Sequence, residues 1–579
     1  MAEYDVVIIG SGVAGALCAA GLSNRSRRIL VLEAAKNGLG VGQREHFRRL
    51  WDTVPNKSWN TPYLRMAGIQ NYPSPGPSTP DTKVYFDQPD ALPEGPDKSL
   101  VTFKGYYQRL AGGSTWAWRG NTPRMMPGDF ELKSKYLSNV PAEQYDGANV
   151  ADWPISYDDL KQWYLKAEFE LGVSGNAEEW EALTPRDGAQ YPMPGQPKSY
   201  SDRVLLARIG SKSVLLDGEQ IKAEIITMAQ ARNTRPYDGR PACEGNHNCI
   251  PLCPTNAKYD ATVHLKRAHQ KGVEIRTGCV VTKLEAGSDG TISRVLYKQW
   301  DSDDPQIERA VSGKIVILAA NPIETPKILL NSGLYADDDP YVGKHLMDHV
   351  QGECLALAPE PIYPFRGPQT LCGIDSLRDG RYRAKFASFR LTLGNDGWGR
   401  AGNPTSVLEQ LLNPADPSSF LIGKELRGTA IETLTRLVRF GFSTEQLPHV
   451  ENRVELSDKL DPLGIRRPRL HYRVHSYTQR ALSEAYRVSK ELFSAMGAEH
   501  IGEEEFDVSD WNTAAHPMGT CRMGTTQQDS VVDKFGRCHN YPNLYIVGAS
   551  VFPTGSATNP VLTIAALALM TVDKIESLN

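Results

Sequence analysis

Two stretches of this chain set chemistry-bearing residues at short, informative intervals. The first is Gly10-x-Gly12-x-x-Gly15, with Val13 and Ala14 inside it, directly after the apolar run Val6-Val7-Ile8-Ile9. Glycines at that spacing allow a tight turn, then let backbone N–H groups approach a pyrophosphate, then let a helix pack closely on a strand. Glu33 closes the next apolar run, Ile29-Leu30-Val31-Leu32, and offers a carboxylate to a ribose hydroxyl. Together they predict dinucleotide binding. The second stretch is Cys243, Cys249 and Cys253 within the turn-rich segment 235–254. Thiolates alone favour an iron–sulfur cluster, His247 as a fourth ligand would complete a zinc site, and reduced structural cysteines are the third reading.

Bulk properties narrow the partners. A chain of 579 residues needs two or three closely packed cores. Net charge is −4 and hydrophobic content 40%, so nothing supports nucleic-acid binding. No apolar run reaches the ~18 residues of a membrane span. Nine cysteines, an odd number with one tight cluster, point to a metal site or free thiols rather than a disulfide scaffold. The chain enters an apolar run at Tyr4 without a basic, apolar leader. The expectation is a protein with no signal peptide of its own, cytoplasmic, or periplasmic and membrane-associated if exported with a partner subunit.

The elements that must position these residues read as an α/β protein. Tyr4–Ile9 and Ile29–Glu33 are apolar without alternation, as strands of a parallel sheet buried on both faces are, and Ala16–Leu22 continues as the helix between them. Residues 34–100 are rich in Pro, Gly, Asn and Asp, either a lid or partner surface or a flexible linker. Gly112-Gly113-Ser114-Thr115-Trp116-Ala117 combines small residues with rigid aromatic walls and suits a flat ring. An amphipathic helix is expected over 158–171, while 214–230 reads equally as helix or strand. A helix over 263–270, strands at 273–276, 279–284 and 315–320, and a helix over 327–331 resume the first domain. Beyond them, strands within 382–393 and 454–456, helices over 406–412 and 424–440, and a long helix over 476–496 make a mixed second domain. A strand at 545–549 and a helix opening at Asn559, with Pro560 and Val561 in its first turn, close the chain.

Taken in order, the glycine fingerprint, Gly112–Gly120, Ala319–Leu330, His516-Pro517-Met518-Gly519-Thr520-Cys521-Arg522-Met523-Gly524 and Gly548–Leu569 resemble the glucose–methanol–choline (GMC) flavin oxidoreductases over essentially the whole chain. Arg235–Pro254, Ile323–Leu330 and Val342–His349 are similar to the bacterial FAD-dependent sugar dehydrogenases of that family, with pyranose and glycoside 3-oxidases as near relatives. The resemblance implies a Rossmann-like FAD-binding domain with an inserted α+β substrate-binding domain. Residues 1–345 would be mainly the FAD domain, 346–500 mainly the substrate domain, and 501–579 the return carrying the catalytic pair.

It also implies that FAD binds at Gly10–Glu33 with its ring near Gly112–Ala117, His516 and Asn559, that Ala549, Pro560 and Val561 belong to the cofactor site, and that Val281 meets the adenine through its main chain. Cys243, Cys249 and Cys253 match the ligands of a 3Fe-4S cluster, with Glu244 where relatives have a further cysteine. Relatives with flavin linked through histidine carry it at or beside Ala117, so FAD is expected to be non-covalent here. Ala515, before His516, departs from the sugar dehydrogenases and resembles the alcohol and choline enzymes.

An alcohol yields a hydride readily only as its proton leaves, which calls for a base at the hydroxyl. The resemblance assigns His516 as that base and Asn559 as its neutral partner, with electrons passing to a cluster, a small subunit and a cytochrome. The predicted reaction is oxidation of a secondary or anomeric hydroxyl of a sugar or glycoside, C3 of a glucoside included. An oxygen-using glycoside oxidase is the alternative. Glu445 and Gln446, polar residues of the 350–450 region, are the candidates for substrate contact, with exposed loop residues as the plain alternative.

Overall fold

The structure, a computed structural model, describes residues 2–23, 26–35, 86–87, 101–105, 107–210, 212–245, 249, 253–300, 302–395, 420–507 and 511–578. Most of 34–100, His247 and the expected helix 406–412 lie outside them.

The apolar runs form one parallel sheet of five strands, in the order Leu544–Ile546, Gly313–Leu318, Tyr4–Ile9, Ile29–Leu32 and Glu274–Arg276. Val6 sits opposite Ile315 on one side and Ile29 on the other. Burial on both faces is the physical meaning of the missing alternation: Val7, Ile8, Leu30, Val31, Val316 and Ile317 are all fully buried. Helix Val13–Leu22 packs against helices Thr262–Gln270 and Val561–Glu576, and the last of these against Tyr157–Leu171. Tyr157–Leu171 starts where Ser156 Oγ accepts from Asp159 N at 3.2 Å, and it buries Leu160, Trp163, Tyr164, Ala167 and Leu171 as their spacing requires.

A second, antiparallel sheet runs in the order Glu499–Ile501, Val350–Leu357, Leu437–Thr444, Phe389–Leu393, Cys372–Ile374 and Ile225–Thr227, with Asn512–Thr513 pairing the start of Val350–Leu357. Helix Ser476–Ala495 lies on it, its Leu482, Ala485, Val488, Leu492 and Phe493 buried, and Phe493 stacks on Phe440 with ring centroids 4.5 Å apart.

Three expectations are corrected, and the open reading of 214–230 is decided as strand. The helix expected over 424–440 ends at Arg436, and Leu437–Thr444 is a central strand, because its apolar residues find ladder partners on both sides. Only Phe389–Leu393 of 382–393 is a strand, preceded by a tight turn at Arg381–Ala384. Residues 214–230 resolve into the short strands Ser213–Leu216, Glu219–Lys222 and Ile225–Thr227.

The helix expected at 327–331 begins instead at Asn321, although Pro322 and Pro326 fall inside it. Asn321 adopts a left-handed φ of 67° and its Oδ1 accepts from Ile323 N at 2.8 Å and Glu324 N at 3.1 Å. Pro326 removes the bond that Pro322 O would have received, and the Thr520 hydroxyl supplies it from elsewhere at 2.6 Å. A distant segment thus completes a helix that its own sequence interrupts.

Candidate active site

The glycine fingerprint is shaped by what each position faces. Gly10 has φ 97°, and a Cβ there would meet Ala319 O at 2.5 Å; a Cβ at Gly15 would collide with Gly10 O. At Gly12 nothing lies within 4 Å of that position. Two glycines therefore serve packing, and the third leaves open space at the start of helix Val13–Leu22, which has neither a side-chain cap nor an acid in its first turn. That cradle, with free N–H groups and a positive dipole end, fits the pyrophosphate of FAD.

Glu33 is buried, and its carboxylate braces this loop. Oε2 accepts from Ser11 N at 2.9 Å and Ser11 Oγ at 2.5 Å, and Oε1 accepts from Ala35 N at 2.7 Å. Burial pushes its pKa up against those bonds. Ser11 Oγ also accepts from Gly112 N at 3.1 Å, which docks the small-residue segment on the fingerprint. There Gly113 closes on Gly12, Thr115 Oγ1 donates to Gly112 O at 2.6 Å, and Trp116 is buried with its Nε1 donating to Ala111 O at 2.8 Å. Ser114 is exposed and Ala117 half-buried. Val281 lies in strand Cys279–Ala286, whose first N–H bonds Glu33 O at 2.8 Å.

The His516 segment is laced to the C-terminal return by three backbone bonds: Gly519 N to Ala549 O, Cys521 N to Ser550 O and Met523 N to Val551 O. Pro560 caps helix Val561–Glu576, whose first turn also carries no acid. Ala515 sits at φ 56°, a left-handed position that costs a non-glycine residue free energy and sets the backbone that carries His516. Asp348, fully buried, holds this conformation: its Oδ1 accepts from His349 N at 2.7 Å and His516 N at 2.8 Å, and its Oδ2 accepts from the Thr513 hydroxyl. Desolvation pushes the Asp348 carboxyl up to about 7.

His349 lies behind His516. Its Nε2 faces Ser556 O at 2.7 Å and Gly555 O at 3.3 Å, and its Nδ1 is 2.8 Å from His516 Nδ1. Carbonyl oxygens only accept, so His349 Nε2 carries the proton. Burial lowers the His349 pKa to about 4, so the ring is neutral and its Nδ1 is an acceptor. His516 Nδ1 must then be the donor. Its Nε2 is left with a lone pair and no hydrogen-bond partner among the described residues. Burial, then the proximity of His349 and Arg390, hold the His516 pKa well below the ordinary histidine value. The arrangement yields a neutral imidazole presenting a base.

Asn559 is partly exposed, and its Oδ1 accepts from Arg390 Nη1 at 2.8 Å. Sequence reasoning missed Arg390, Asp348 and His349 as site residues. Only the last two stood in a stretch quoted for the family resemblance, and nothing local marks Arg390.

Glu445 and Gln446 are both buried rather than exposed loop residues. Glu445 accepts from Arg383 Nη2 at 3.0 Å and Ser388 Oγ at 3.0 Å. Gln446 Oε1 accepts from Asp348 N at 2.9 Å and the Tyr472 hydroxyl at 2.7 Å, so it braces the Asp348 backbone that in turn holds His516.

None of the nine cysteines is joined in a disulfide among the described residues. Cys249 and Cys253 are buried, Arg232 Nη1 donates to Cys249 Sγ at 2.9 Å, and Gly245 N donates to Cys243 Sγ at 3.4 Å. Lys258, fully buried, donates to Cys249 O at 2.5 Å and to Trp116 O and Trp118 O at 2.7 Å each, tying the cysteine segment to the small-residue loop at 112–118. Burial pushes the Cys243 thiol up, against the nearby Arg232 guanidinium and the Gly245 N–H. Among the described residues, no three His, Cys, Asp or Glu side chains converge as ligands of one metal ion do. No described helix is long and apolar enough to cross a membrane.

Comparison with known proteins agrees with this geometry. GMC oxidoreductase family models match residues 222–351 and 448–568, and a model of the NAD(P)-binding Rossmann-like domain matches 8–52. The chain is 31% identical to the fructose dehydrogenase large subunit of Gluconobacter japonicus over 99% of its own length and 97% of that protein's. It is 27% identical to the C-glycoside 3-oxidase of Arthrobacter globiformis over 80% of this chain and 81% of that one. Pyridoxine 4-oxidase from Mesorbium loti shares the fold at a TM-score of 0.58 and 18% identity, with 99% of each chain covered. With a Rossmann-like sheet, a fingerprint that fits FAD and full-length similarity of this kind, the chain belongs to the GMC oxidoreductase family.

Proposed function

We propose that the protein is an FAD-dependent dehydrogenase that oxidises a secondary or anomeric hydroxyl of a sugar or glycoside. The observation that carries this reading is the His349–His516 pair, which leaves His516 Nε2 unprotonated at neutral pH. Bound non-covalently at Gly10–Glu33 and Gly112–Ala117, FAD supplies the acceptor for the hydride that leaves carbon. His516 Nε2 takes the hydroxyl proton, so the alcohol becomes a carbonyl with both hydrogens accounted for. Asn559 orients the substrate oxygen without adding charge. A sugar is favoured because similarity to a fructose dehydrogenase large subunit runs the length of the chain.

Cys243, Cys249 and Cys253 are proposed as the residues that would hold a 3Fe-4S cluster, for which their side chains, not convergent among the described residues, would have to close together; the cluster would supply single-electron transfer to a cytochrome, with a small subunit completing the assembly. Periplasmic or membrane-associated placement would follow from export with that subunit. The observation that supports soft ligation there is the buried Arg232 guanidinium, whose Nη1 donates to Cys249 Sγ. A second reading, a glycoside oxidase that returns electrons to oxygen, is favoured by the likeness to a C-glycoside 3-oxidase. One experiment separates them: the visible spectrum of anaerobic protein is followed as fructose, glucose, gluconate and methyl glycosides are added, then air, with iron assayed on the same sample. Bleaching by a sugar, about three irons per chain and slow recovery in air support the dehydrogenase. Bleaching without iron and rapid recovery supports the oxidase, and no bleaching by any sugar removes both.

A further inference from the structure

We propose that Arg390 is a positioning residue of the oxidation, holding Asn559 so that its amide N–H groups, and not its carbonyl oxygen, meet the substrate oxygen. The inference rests on the sugar-oxidation reading above. Arg390 Nη1 lies 2.8 Å from the Asn559 side chain. A guanidinium has five donors and no acceptor, so the atom that faces it is the carbonyl oxygen, whichever way the amide is drawn. The NH2 group is therefore turned away from Arg390. It has no hydrogen-bond partner among the described residues, while Asn559 keeps part of its surface exposed.

Arg390 is itself immobilised. It stands on strand Phe389–Leu393, is 1% exposed, and its Nη2 donates to Asp375 Oδ2 at 3.0 Å and to Met228 Sδ at 2.9 Å. Asp375 is held a second time by Arg378 Nη1 at 3.2 Å. Arg378 Nη2 reaches Asp129 Oδ2 at 3.4 Å, and Asp129 Oδ2 accepts from Ser556 Oγ at 2.7 Å. The ladder ends on the same segment whose Gly555 and Ser556 carbonyls set the tautomer of His349. One rigid frame thus orients both the base and the donor. A fixed donor aimed at an oxygen that gains negative charge stabilises the transition state more than the ground state. A guanidinium placed only to neutralise Asp375 would not need the Asn559 contact, since Arg378 already serves that carboxylate.

The test uses the holoenzyme and follows anaerobic flavin reduction by stopped flow with the sugar that bleaches the wild type. Asn559→Asp keeps an oxygen opposite Arg390 and replaces the donor with an acceptor. It should slow reduction as much as Asn559→Ala, by ~100-fold or more on the scale of a lost oxyanion donor. Arg390→Gln should lower the limiting rate by ~10-fold or more with substrate affinity changed less than ~3-fold, and Arg390→Lys, which restores charge and a donor, should regain part of the loss. Added to Asn559→Ala, Arg390→Gln should cost less than ~3-fold further, because two residues acting through one contact are not additive. Undiminished reduction by Asn559→Asp or by Arg390→Gln overturns the inference, as does a double variant that loses the full product of both factors. Bound-FAD absorbance checks folding, and Asn559→Asp, nearly isosteric, decides the matter if Arg390→Gln does not fold. A wild-type flavin that stays oxidised with every sugar and with simple alcohols sinks the oxidation reading and this inference together; wild-type bleaching with undiminished variants sinks this inference alone.

Discussion

His349 Nδ1 lies 2.8 Å from His516 Nδ1 with the two rings edge to face at 86°, while His349 Nε2 is pinned to the backbone carbonyls of Gly555 and Ser556. The proton on one ring is therefore located by carbonyls that touch the other. Once His516 takes a proton on Nε2, its Nδ1–H remains directed at a neutral acceptor, so the charged ring gains a stronger hydrogen bond than the neutral ring had.

His516→Ala should keep bound FAD, since none of the contacts that shape the glycine cradle involves this side chain. Flavin reduction by sugar should fall by roughly 10²–10⁴-fold, the range for losing a general base. Turnover unchanged from wild type would remove His516 from that role.

Replacing His349 by Phe removes the acceptor for His516 Nδ1–H and leaves the Ser556 carbonyl without its donor. The His516 ring is then free to place its proton on either nitrogen. We expect the limiting reduction rate to drop ~10-fold or more while FAD stays bound, as when an orienting partner of a catalytic histidine is lost. His349→Gln, which offers both a donor and an acceptor, should fall between the two; equal rates for all three proteins would contradict the relay.

The pH profile has a defined sign. The His516 pKa is held below the ordinary value by burial first, then by His349 and Arg390. Its base form therefore persists below pH ~6.5, the unperturbed histidine value. The reduction rate should stay level from neutral pH down through that value and fall only at more acid pH. In Arg390→Gln the loss of a nearby positive charge raises the pKa, and the acid limb should move to higher pH. A wild-type limb centred at or above ~6.5 would contradict the electrostatics.

Substituting Cys243, Cys249 and Cys253 together by Ser should abolish iron binding while leaving sugar-driven bleaching of the flavin intact. Transfer to a one-electron dye should slow markedly. Iron retained by the triple variant would place any cluster elsewhere in the chain.

Thr520→Val tests the fold rather than the chemistry. It leaves the buried Pro322 carbonyl without a partner inside a helix that Pro326 has already interrupted. A cost of ~1–3 kcal/mol is expected for an unsatisfied buried acceptor. Urea denaturation of holoenzyme reads it directly, and a midpoint equal to wild type would show that the Thr520 bond contributes nothing.

Much of the parallel sheet was legible because its information is local. Val6–Ile9, Ile29–Leu32 and Val316–Leu318 are apolar without alternation and buried on both faces, and their short length beside turn residues reads as parallel strands. Ser476–Ala495 was equally plain from its apolar stripe. Leu437–Thr444 misled because the helical spacing upstream continues into it, and its strand state depends on partners at 350–357 and 389–393. Asn321–Asn331 misled because two prolines argue against a helix, and the compensating hydroxyl comes from residue 520. Glu168, buried on an otherwise apolar helix face, meets Arg124 and Arg186, partners that periodicity does not reveal.

The sequence by itself determined the sheet, the nucleotide-binding loop and, through ordered motifs, the family and its candidate catalytic pair, since these depend on neighbours in the chain. Only the tertiary structure decided which nitrogen of His516 keeps its lone pair and which end of the Asn559 amide is turned outward. Those outcomes depend on His349 and Arg390, which lie more than 160 residues away from the groups they orient. A hydrogen bond's direction is set by which donor meets which acceptor in space, and folding alone brings those atoms together.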